Sequence, residues 1–297
     1  MTTHERDDHD HGLQYDLQVM AERTRQRRRA LGWLLSGGTV ALIAACGGGG
    51  SDSDTTASSG DSSSGSGSSG GTSSGSTTCI ANPEETQGPY PGDGSNTVNG
   101  MASNVLTESG IVRSDIQSSF GSSTTVAEGV PLTLTLNVVN SNTSCSALSG
   151  YAVYLWHCTR EGAYSLYGAG IQDENFLRGV QVTDSNGQVT FETIFPAAYS
   201  GRYPHIHFEV YPSLALATLY TNKILTSQMA LPRDICSTVY SGAAGYTASV
   251  SNLAAVTTAS DNVFGDNTAA QIAQMTPALT GSVAAGYTGS ILVGVPA

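Results

Sequence analysis

Two histidines separated by one residue, His205 and His207, lie in the stretch RYPHIHFEV at residues 202 to 210. Alternate side chains of an extended segment point to the same face, so the two imidazoles would converge on one point. Ile206 and Phe208 would point to the opposite face. Taken alone, the pair is also typical of two half-exposed strand histidines, so its meaning depends on the rest of the chain.

The segments around this pair have the two-residue period of β-strands. Leu132, Leu134 and Leu136 alternate with polar residues in VPLTLTLNVVN, and YAVYLWHC follows as a second strand. GVQVTDSNGQVTFETIF indicates a hairpin that turns at Asn186-Gly187, since Asn-Gly is a strong hairpin signal. Further strands are predicted in HIHFEVY, KILTSQMAL and YTGSILVGV.

Helical periodicity is almost absent from this part of the chain, and only NTAAQIAQM approaches it. Many short strands separated by turn residues predict an all-β domain, an antiparallel β-sandwich or barrel. We expect this domain to span residues 79–297, a length that can bury a proper core.

The N-terminal region has the pattern of an export signal. The basic run RTRQRRR precedes the apolar stretch ALGWLLSGGTVALIAAC, which is too short for a comfortable membrane span. Residues 1–45 are therefore predicted to be a signal peptide, with an uncleaved anchor as the alternative. Ile43-Ala44-Ala45-Cys46 resembles a bacterial lipobox, whose cysteine is acylated, and Arg28-Arg29 resembles a twin-arginine export signal.

Residues 46–78 are almost entirely Gly, Ser, Thr and Asp after the cysteine, a composition that predicts a flexible tether with a mean reach of roughly 30 Å. From Cys46 onward the chain has 6 basic and 18 acidic residues. This balance argues against binding to nucleic acid and against electrostatic adhesion to anionic lipid. We expect an exported protein that contacts the membrane only through a lipid anchor at Cys46.

Four further cysteines, at positions 79, 145, 158 and 236, allow two disulfides with three possible pairings. An even count outside the cytoplasm favours disulfides, although a free buried thiol remains the alternative for Cys158. If residues 151 to 158 form one strand, the chain from Cys145 can barely reach Cys158. A pairing of Cys145 with Cys79 or Cys236 is therefore expected, and the choice between these two stays open.

Four short motifs occur in a fixed order along the predicted domain. They are Trp156-His157, Gly162-Ala163-Tyr164-Ser165, Thr193-Ile194-Phe195-Pro196-Ala197-Ala198-Tyr199 and Arg202-Tyr203-Pro204-His205-Ile206-His207. Their order and spacing resemble those of the intradiol ring-cleavage dioxygenases, the family of catechol 1,2-dioxygenase and protocatechuate 3,4-dioxygenase. The resemblance extends from ETQGPY near Glu85 to the closing strand, and it implies the β-sandwich of that family.

The resemblance implies a single non-haem Fe(III) ion whose four protein ligands are Tyr164, Tyr199, His205 and His207. This ligand set suits the chemistry of the ion. Fe(III) is a hard cation that an anionic phenolate oxygen satisfies better than a thioether or a neutral carbonyl, and a bound cation lowers the pKa of the phenol. Zinc would be an odd occupant, since it prefers Cys, His and carboxylate.

The resemblance also implies a function, the insertion of O₂ between the two hydroxyl-bearing carbons of a catecholic substrate to give a cis,cis-muconate-type product. By position, Tyr199 resembles the tyrosine that leaves the metal and acts as a base, and Tyr164 the one that stays. Arg202 resembles the arginine that stabilises negative charge on the substrate. Gln228, in LTSQM, resembles the glutamine that lines the same pocket.

Each of these residues also has a plainer interpretation. Tyr199 is compatible with a strand-edge aromatic residue, Arg202 with a solvated or salt-bridged surface cation, and Tyr167 could reach the site instead of Tyr164. His157 is interpreted as a buried strand histidine hydrogen-bonded in the core. For the whole protein, the alternatives are a non-catalytic β-sandwich lipoprotein that binds iron or an iron-catecholate, and a structural adhesin without metal.

Two features depart from the family pattern. The segment Gln87-Gly88-Pro89-Tyr90-Pro91 stands where the family often has Glu-Gly-Pro-Tyr-Tyr, which indicates a different substrate mouth. A 14-residue stretch, YPSLALATLYTNKI, separates the histidine strand from LTSQ and is longer than we expect.

Overall fold

A computed structural model describes residues 79–98 and 100–297 of the 297-residue chain. The predicted signal peptide at 1–45, the lipobox cysteine Cys46 and the tether at 46–78 lie outside the described residues. Within the described ranges, no helix is long and apolar enough to cross a membrane.

The described part of the chain is mostly β, as the sequence predicts, and two of its three helices follow one another directly. The strands are β1 (Asp93–Val98), β2 (Met101–Asn104), β3 (Pro131–Asn140), β4 (Ser146–Ala147), β5 (Ala152–Trp156), β6 (Arg178–Val182), β7 (Gln188–Ile194), β8 (His205–Tyr211), β9 (Leu225–Ala230), β10 (Ala278–Ser282) and β11 (Gly286–Val295). The α-helices are α1 (Arg233–Gly242), α2 (Thr247–Ala254) and α3 (Ala269–Gln274).

The strands form two main sheets and a small hairpin. One sheet has the order β10-β11-β3-β4, with β7 also paired to β3, and the other has the order β6-β5-β8-β9. β1 and β2 pair with each other. Pairing is antiparallel except between β3 and β11, which run parallel over nine residue pairs from Tyr287↔Leu132 to Val295↔Asn140.

Residues of both main sheets meet in one apolar cluster. Leu132, Leu134 and Leu136 of β3 are fully buried there, as their alternation with polar residues predicts. From the other sheet, Ile206 and Phe208 of β8 join the same cluster. Such burial is the main stabilising contribution, about 1.5–3 kcal/mol for each large apolar side chain.

The second face of the β6-β5-β8-β9 sheet is buried as well. A separate cluster covers it, with Tyr154 and Trp156 from β5, Tyr211 from β8 and Tyr164 from the loop that follows β5. Every residue of β8 is consequently buried. His205 and His207 point into this second layer, away from the inter-sheet core, which agrees with the face that the alternation predicts.

The predicted hairpin around Asn186-Gly187 is wrong in its pairing. β6 and β7 form where the sequence places them, but β6 pairs with β5 and β7 pairs with β3 in the other sheet. A tight turn does form, because the Asp184 carboxylate accepts from the backbone N–H groups of Asn186 and Gln188. The turn then carries the chain from one sheet to the other, and the Gly187 carbonyl accepts from the N–H of Val138.

Two helices, α1 and α2, were not expected from the sequence. Polar and β-branched residues weaken the helical pattern of RDICSTVYSG, but Cys236, Val239 and Tyr240 share one buried side at helical spacing. Tertiary packing of that side therefore stabilises α1 more than intrinsic propensity does. The third helix, α3, lies inside NTAAQIAQM as the sequence indicates, and Thr268 caps it with Gln271.

One of the two expected disulfides forms, between Cys79 and Cys145. The expectation of a second is wrong, since Cys158 and Cys236 are free buried cysteines. The fold explains the difference. Cys158 lies in the cluster on the outer face of the β5 sheet, whereas Cys236 is in the inter-sheet core.

Candidate metal centre

Three separate elements contribute to the candidate site. His205 and His207 are the first and third residues of β8, Tyr164 comes from the loop between β5 and β6, and Tyr199 comes from the loop between β7 and β8. Gly162 lets these two loops touch, because a Cβ added there would lie 3.0 Å from Tyr199 Cβ, and its φ of +94° suits glycine. This close approach explains the glycine of the Gly-x-Tyr-Ser motif.

The serine of that motif fixes the tyrosine loop from the other side. Ser165 Oγ donates to the Phe176 carbonyl at 2.7 Å and accepts from Arg178 Nε at 2.9 Å. Arg178 is fully buried and also donates to the Tyr90 and Pro91 carbonyls. The loop that bears Tyr164 is therefore attached to β6 and to the segment before β1.

The polar atoms of the four side chains converge on one point. Tyr164 Oη lies 3.1 Å from His207 Nε2 and 3.3 Å from His205 Nε2. Tyr199 Oη lies 3.0 Å from His205 Nε2 and 3.5 Å from Tyr164 Oη. The two Nε2 atoms are 3.1 Å apart. The structure thus brings together all four residues that the sequence proposes as metal ligands.

The hydrogen bonding of His205 prepares it to bind a cation. Its Nδ1 lies 2.6 Å from the Tyr203 carbonyl, which can only accept, so Nδ1 carries the proton. The lone pair of Nε2 consequently points to the other donors. This is the arrangement that metal-binding histidines commonly have, in which the second nitrogen donates to an outer partner.

Burial favours the neutral form of all four groups. It lowers the pKa of His205 to about 3 and that of His207 well below its ordinary value. Burial also raises the pKa of Tyr199 to about 12 and that of Tyr164 well above the usual 10. A cation at the centre would favour the phenolates and keep the imidazoles unprotonated, so the site is electrostatically suited to a highly charged ion.

The donor set fits Fe(III). In residues 79–98 and 100–297, no group of three or more His, Cys, Asp or Glu side chains could hold a metal ion. The candidate centre instead combines two imidazoles with two phenols, and phenolate oxygen is a hard ligand that suits a hard trivalent cation. A zinc site would be expected to use cysteine, histidine or carboxylate.

A row of four side chains crosses the sheet at the level of His207. Residues paired across neighbouring strands lie on the same face. From β6 to β9 the row is Arg178, Trp156, His207 and Gln228.

Arg202 and Gln228 lie together at the edge of the site. Arg202 Nη2 donates to Gln228 Oε1 at 2.7 Å, and Gln228 Nε2 donates to the Thr86 carbonyl at 2.7 Å. Arg202 is 1% exposed, which contradicts the surface position of the plainer interpretation, although the salt bridge which that interpretation included is present. Its charge is balanced by Asp261, whose Oδ2 accepts from Arg202 Nε at 3.0 Å.

Asp261 is a further residue of the site, and no motif in the sequence indicates it. Its carboxylate also accepts from the backbone N–H groups of Tyr203, Val263 and Phe264, at 2.7, 2.8 and 3.0 Å. It therefore fixes both the guanidinium of Arg202 and the chain that leads into β8. No local pattern could have found it, because the two side chains are 59 residues apart.

Tyr167, the alternative to Tyr164, is engaged elsewhere. Its hydroxyl donates to Asn96 Oδ1 at 2.9 Å and accepts from the N–H of Gly92 at 2.8 Å. Tyr199 is likewise not an edge aromatic residue, since its hydroxyl faces the imidazole of His205. The geometry favours Tyr164 and Tyr199 over these plainer interpretations.

The two segments that depart from the family pattern, residues 87–91 and residues 211–224, contact each other. Lys223, near the end of the long stretch after β8, donates to Gln87 Oε1 at 2.6 Å and to Glu209 Oε1 at 2.7 Å. Gln87 precedes Gly88, where an added Cβ would lie 3.3 Å from His207 Cε1. Through Lys223, the stretch at residues 211–224 therefore holds in place the Gln87-Gly88 segment that packs against His207.

His157 occupies the core, as the sequence predicts. Its Nε2 lies 2.7 Å from Thr193 Oγ1 and its Nδ1 lies 2.8 Å from the Cys158 carbonyl. We expect His157→Ala to retain bound iron and to lower the free energy of unfolding by about 2–4 kcal/mol, through the cavity and the unpaired Thr193 hydroxyl. Denaturant unfolding and iron analysis of the same preparation check both parts.

The stability effect of this substitution should depend on pH. Burial lowers the pKa of His157 from its ordinary 6.5 to about 4. The neutral imidazole therefore stabilises the fold above pH 6.5, and this contribution is lost as the pH falls toward 4. The stability difference between wild type and His157→Ala should shrink over that interval, and a constant difference would contradict the buried neutral imidazole.

Comparison with known proteins agrees with this geometry. A family model described as a dioxygenase matches residues 115–266, just over half of the chain. That range includes the four candidate ligands together with Arg202, Gln228 and Asp261. An intradiol ring-cleavage dioxygenase from Tetranychus urticae is similar in structure, with a TM-score of 0.55 and 26% identity over 73% of this chain and 96% of that one.

A second dioxygenase crystal structure has a TM-score of 0.54 and 25% identity, and covers 73% of this chain and 95% of that chain. Chlorocatechol 1,2-dioxygenase from Rhodococcus opacus is 33% identical over 58 residues, which are 20% of this chain and 23% of that protein. The match thus spans about a quarter of that curated relative. On the family match and the structural neighbours together, the chain belongs to the intradiol ring-cleavage dioxygenase family.

Proposed function

We propose that this protein is an Fe(III)-dependent dioxygenase that opens a catecholic ring between its two hydroxyl-bearing carbons, with O₂ as the second substrate. The observation that supports this most is the convergence of two phenol oxygens and two imidazole nitrogens, each of which lies within 3.5 Å of at least two of the others. The product would be a cis,cis-muconate-type dicarboxylate. We also propose that the two main sheets are the layers of the β-sandwich that the resemblance implies.

Tyr164, Tyr199, His205 and His207 would hold the iron. Bound there, Fe(III) would supply Lewis acidity and draw electron density from a catecholate, which makes the ring reactive toward O₂. The protein's own residues bind and orient the substrate around it. Tyr199 Oη is the group that would take a proton from a catechol hydroxyl as the substrate binds.

Arg202 would stabilise negative charge that develops on the substrate. Its guanidinium is buried and is held in place by Asp261 on one side and by Gln228 on the other. A preorganised cation in a water-poor site acts more strongly than it would in water, and it does not need to reorient during the reaction. Gln228 would contribute by positioning Arg202 and by fixing the Thr86 carbonyl at the site's edge.

Oxygen uptake with catechol, protocatechuate and hydroxyquinol tests this function. The iron-loaded protein should consume one O₂ for each ring opened, and with ¹⁸O₂ the product should contain both labelled atoms. Uptake with none of these substrates, in a protein that binds iron, would refute catalysis on simple catechols. That result would favour the alternative of an iron-binding or iron-catecholate-binding protein.

We further propose that the protein is exported and attached to a membrane through lipid on Cys46, as its lipobox and tether indicate. We expect Cys46→Ser to release the protein into the soluble fraction while iron content and oxygen uptake stay unchanged, because the anchor shares no residue with the site. Fractionation of cells that express either form checks this. Membrane retention of Cys46→Ser would show that another feature anchors the chain.

A further inference from the structure

The two histidines of the candidate centre are held in different ways. His205 has the outer hydrogen bond typical of a metal ligand, from Nδ1 to the Tyr203 carbonyl. His207 does not, since its buried Nδ1 lacks a hydrogen-bond partner within residues 79–98 and 100–297. The terminal torsion of a histidine side chain is broad, so an imidazole without such a bond needs another constraint to keep its Nε2 directed at the centre.

An aromatic stack provides that constraint. Trp156 lies directly opposite His207 in the pairing of β5 with β8. The two rings are nearly parallel, with an angle of 7° between their planes and 4.8 Å between their centroids. Because Trp156 is fully buried, its indole cannot swing away into solvent.

The indole is supported in turn from behind. Tyr154, two residues earlier on the same face of β5, stacks on Trp156 with 4.9 Å between centroids and an angle of 19°. The Tyr154 hydroxyl donates to the Pro91 carbonyl at 2.7 Å and accepts from Arg178 Nη1 at 3.0 Å. The three rings form a column whose far end is hydrogen-bonded to the buried arginine.

Gly88, in the segment before β1, also limits the movement of the His207 ring. Gly88 approaches the imidazole so closely that a Cβ added to it would lie 3.3 Å from Cε1 and 3.9 Å from Nε2. The same segment is fixed just before Gly88, at the Thr86 carbonyl by Gln228 and at the Gln87 side chain by Lys223. The ring of His207 therefore has little freedom to tilt.

We infer that Trp156 is a positioning residue for His207, and that its stacked indole replaces the outer hydrogen bond that His205 has. The inference rests on the proposed iron site. Trp156 thus has a role in metal binding although it cannot itself be a ligand. A hydrogen bond to the Tyr203 carbonyl orients His205, whereas the stacked indole orients His207.

Three substitutions, each made in the full-length chain, test this role. Trp156→Leu removes the aromatic ring that stacks on His207, whereas Trp156→Phe keeps an aromatic ring at this position. Phe208→Leu is the matched control, because Phe208 is fully buried on the opposite face of β8, beside His207 in sequence. The measurements are Fe(III) affinity by competition with a chelator, the visible tyrosinate-to-iron band, the electron paramagnetic resonance spectrum of the iron, and thermal unfolding.

Trp156→Leu should weaken Fe(III) binding roughly 10- to 100-fold, the usual effect of losing a group that orients a metal ligand. It should also change the resonance spectrum, while Trp156→Phe restores most of the affinity and the wild-type signal. Phe208→Leu should lower the unfolding temperature but leave the iron spectra unchanged. Wild-type affinity and spectra in Trp156→Leu would overturn the inference, and so would an equal loss in Phe208→Leu.

Gly88→Ala keeps the test decisive if Trp156→Leu does not fold. The new methyl group would lie 3.3 Å from His207 Cε1, at a backbone φ of +72° that favours glycine, so the iron spectra should shift although all four ligands remain. Unchanged spectra in a folded, iron-loaded Gly88→Ala would overturn the account of a tightly held ring. A wild-type protein that binds no Fe(III) would instead refute the proposed function, and this inference with it.

Discussion

Replacing His205 or His207 with alanine should leave the purified protein without bound iron and without dioxygenase activity. Each substitution removes one of four donor atoms, each of which lies within 3.5 Å of at least two others, so the loss of affinity should exceed the roughly 10- to 100-fold effect of removing an outer partner. Iron analysis after purification, together with Fe(III) titration of each variant, measures this effect.

His157→Ala is the matched control for these two substitutions. It removes a third buried imidazole whose nitrogens contact Thr193 and Cys158 and lie outside the cluster of donor atoms. We expect it to keep iron while it loses stability. If His157→Ala lost iron and His205→Ala kept it, the assignment of the centre to the face of β8 would be wrong.

Tyr199→Phe should keep iron but slow turnover by a factor on the order of 10², the usual effect of losing a general base. In the proposed reaction Tyr199 would leave the metal as substrate binds and would take the substrate proton, and phenylalanine can do neither. The variant should also lose part of the visible charge-transfer band. Stopped-flow turnover and absorption spectra measure the two effects separately.

The two tyrosines can then be distinguished by their anaerobic catechol complexes. The Tyr199→Phe complex should have a spectrum close to that of wild type, because the missing ligand would have left in any case. Tyr164→Phe should differ from wild type both before and after catechol is added. The reverse pattern would mean that the roles of Tyr164 and Tyr199 are exchanged.

Much of the candidate site could be predicted from the sequence because its residues lie in short motifs. The spacing of His205 and His207 places them on one face of any extended segment, whatever that segment pairs with. Tyr164 and Tyr199 each follow a predicted strand within a few residues of a glycine or proline. Strand periodicity alone predicts that His205 and His207 share a face, and it is the resemblance of the motifs to the intradiol dioxygenases that implies Tyr164 and Tyr199 as their partners.

Features that depend on tertiary contacts could not be predicted in this way. The two-residue period places β6 and β7 correctly, but it carries no information about their partners, and so the hairpin was wrong. Asp261 reaches Arg202 across 59 residues of sequence. Cys158 and Cys236 remain free because their elements lie in different layers, which the cysteine count alone does not reveal.

We propose that two phenols and two imidazoles hold one Fe(III) ion. The most direct test of this proposal is the visible absorption spectrum of the protein during titration with Fe(III). We predict a tyrosinate-to-iron charge-transfer band that grows linearly and reaches its maximum at one equivalent, and that needs both Tyr164 and Tyr199 for its full intensity. A colourless protein, or a band that is unchanged in Tyr164→Phe and Tyr199→Phe, would contradict this ligand set.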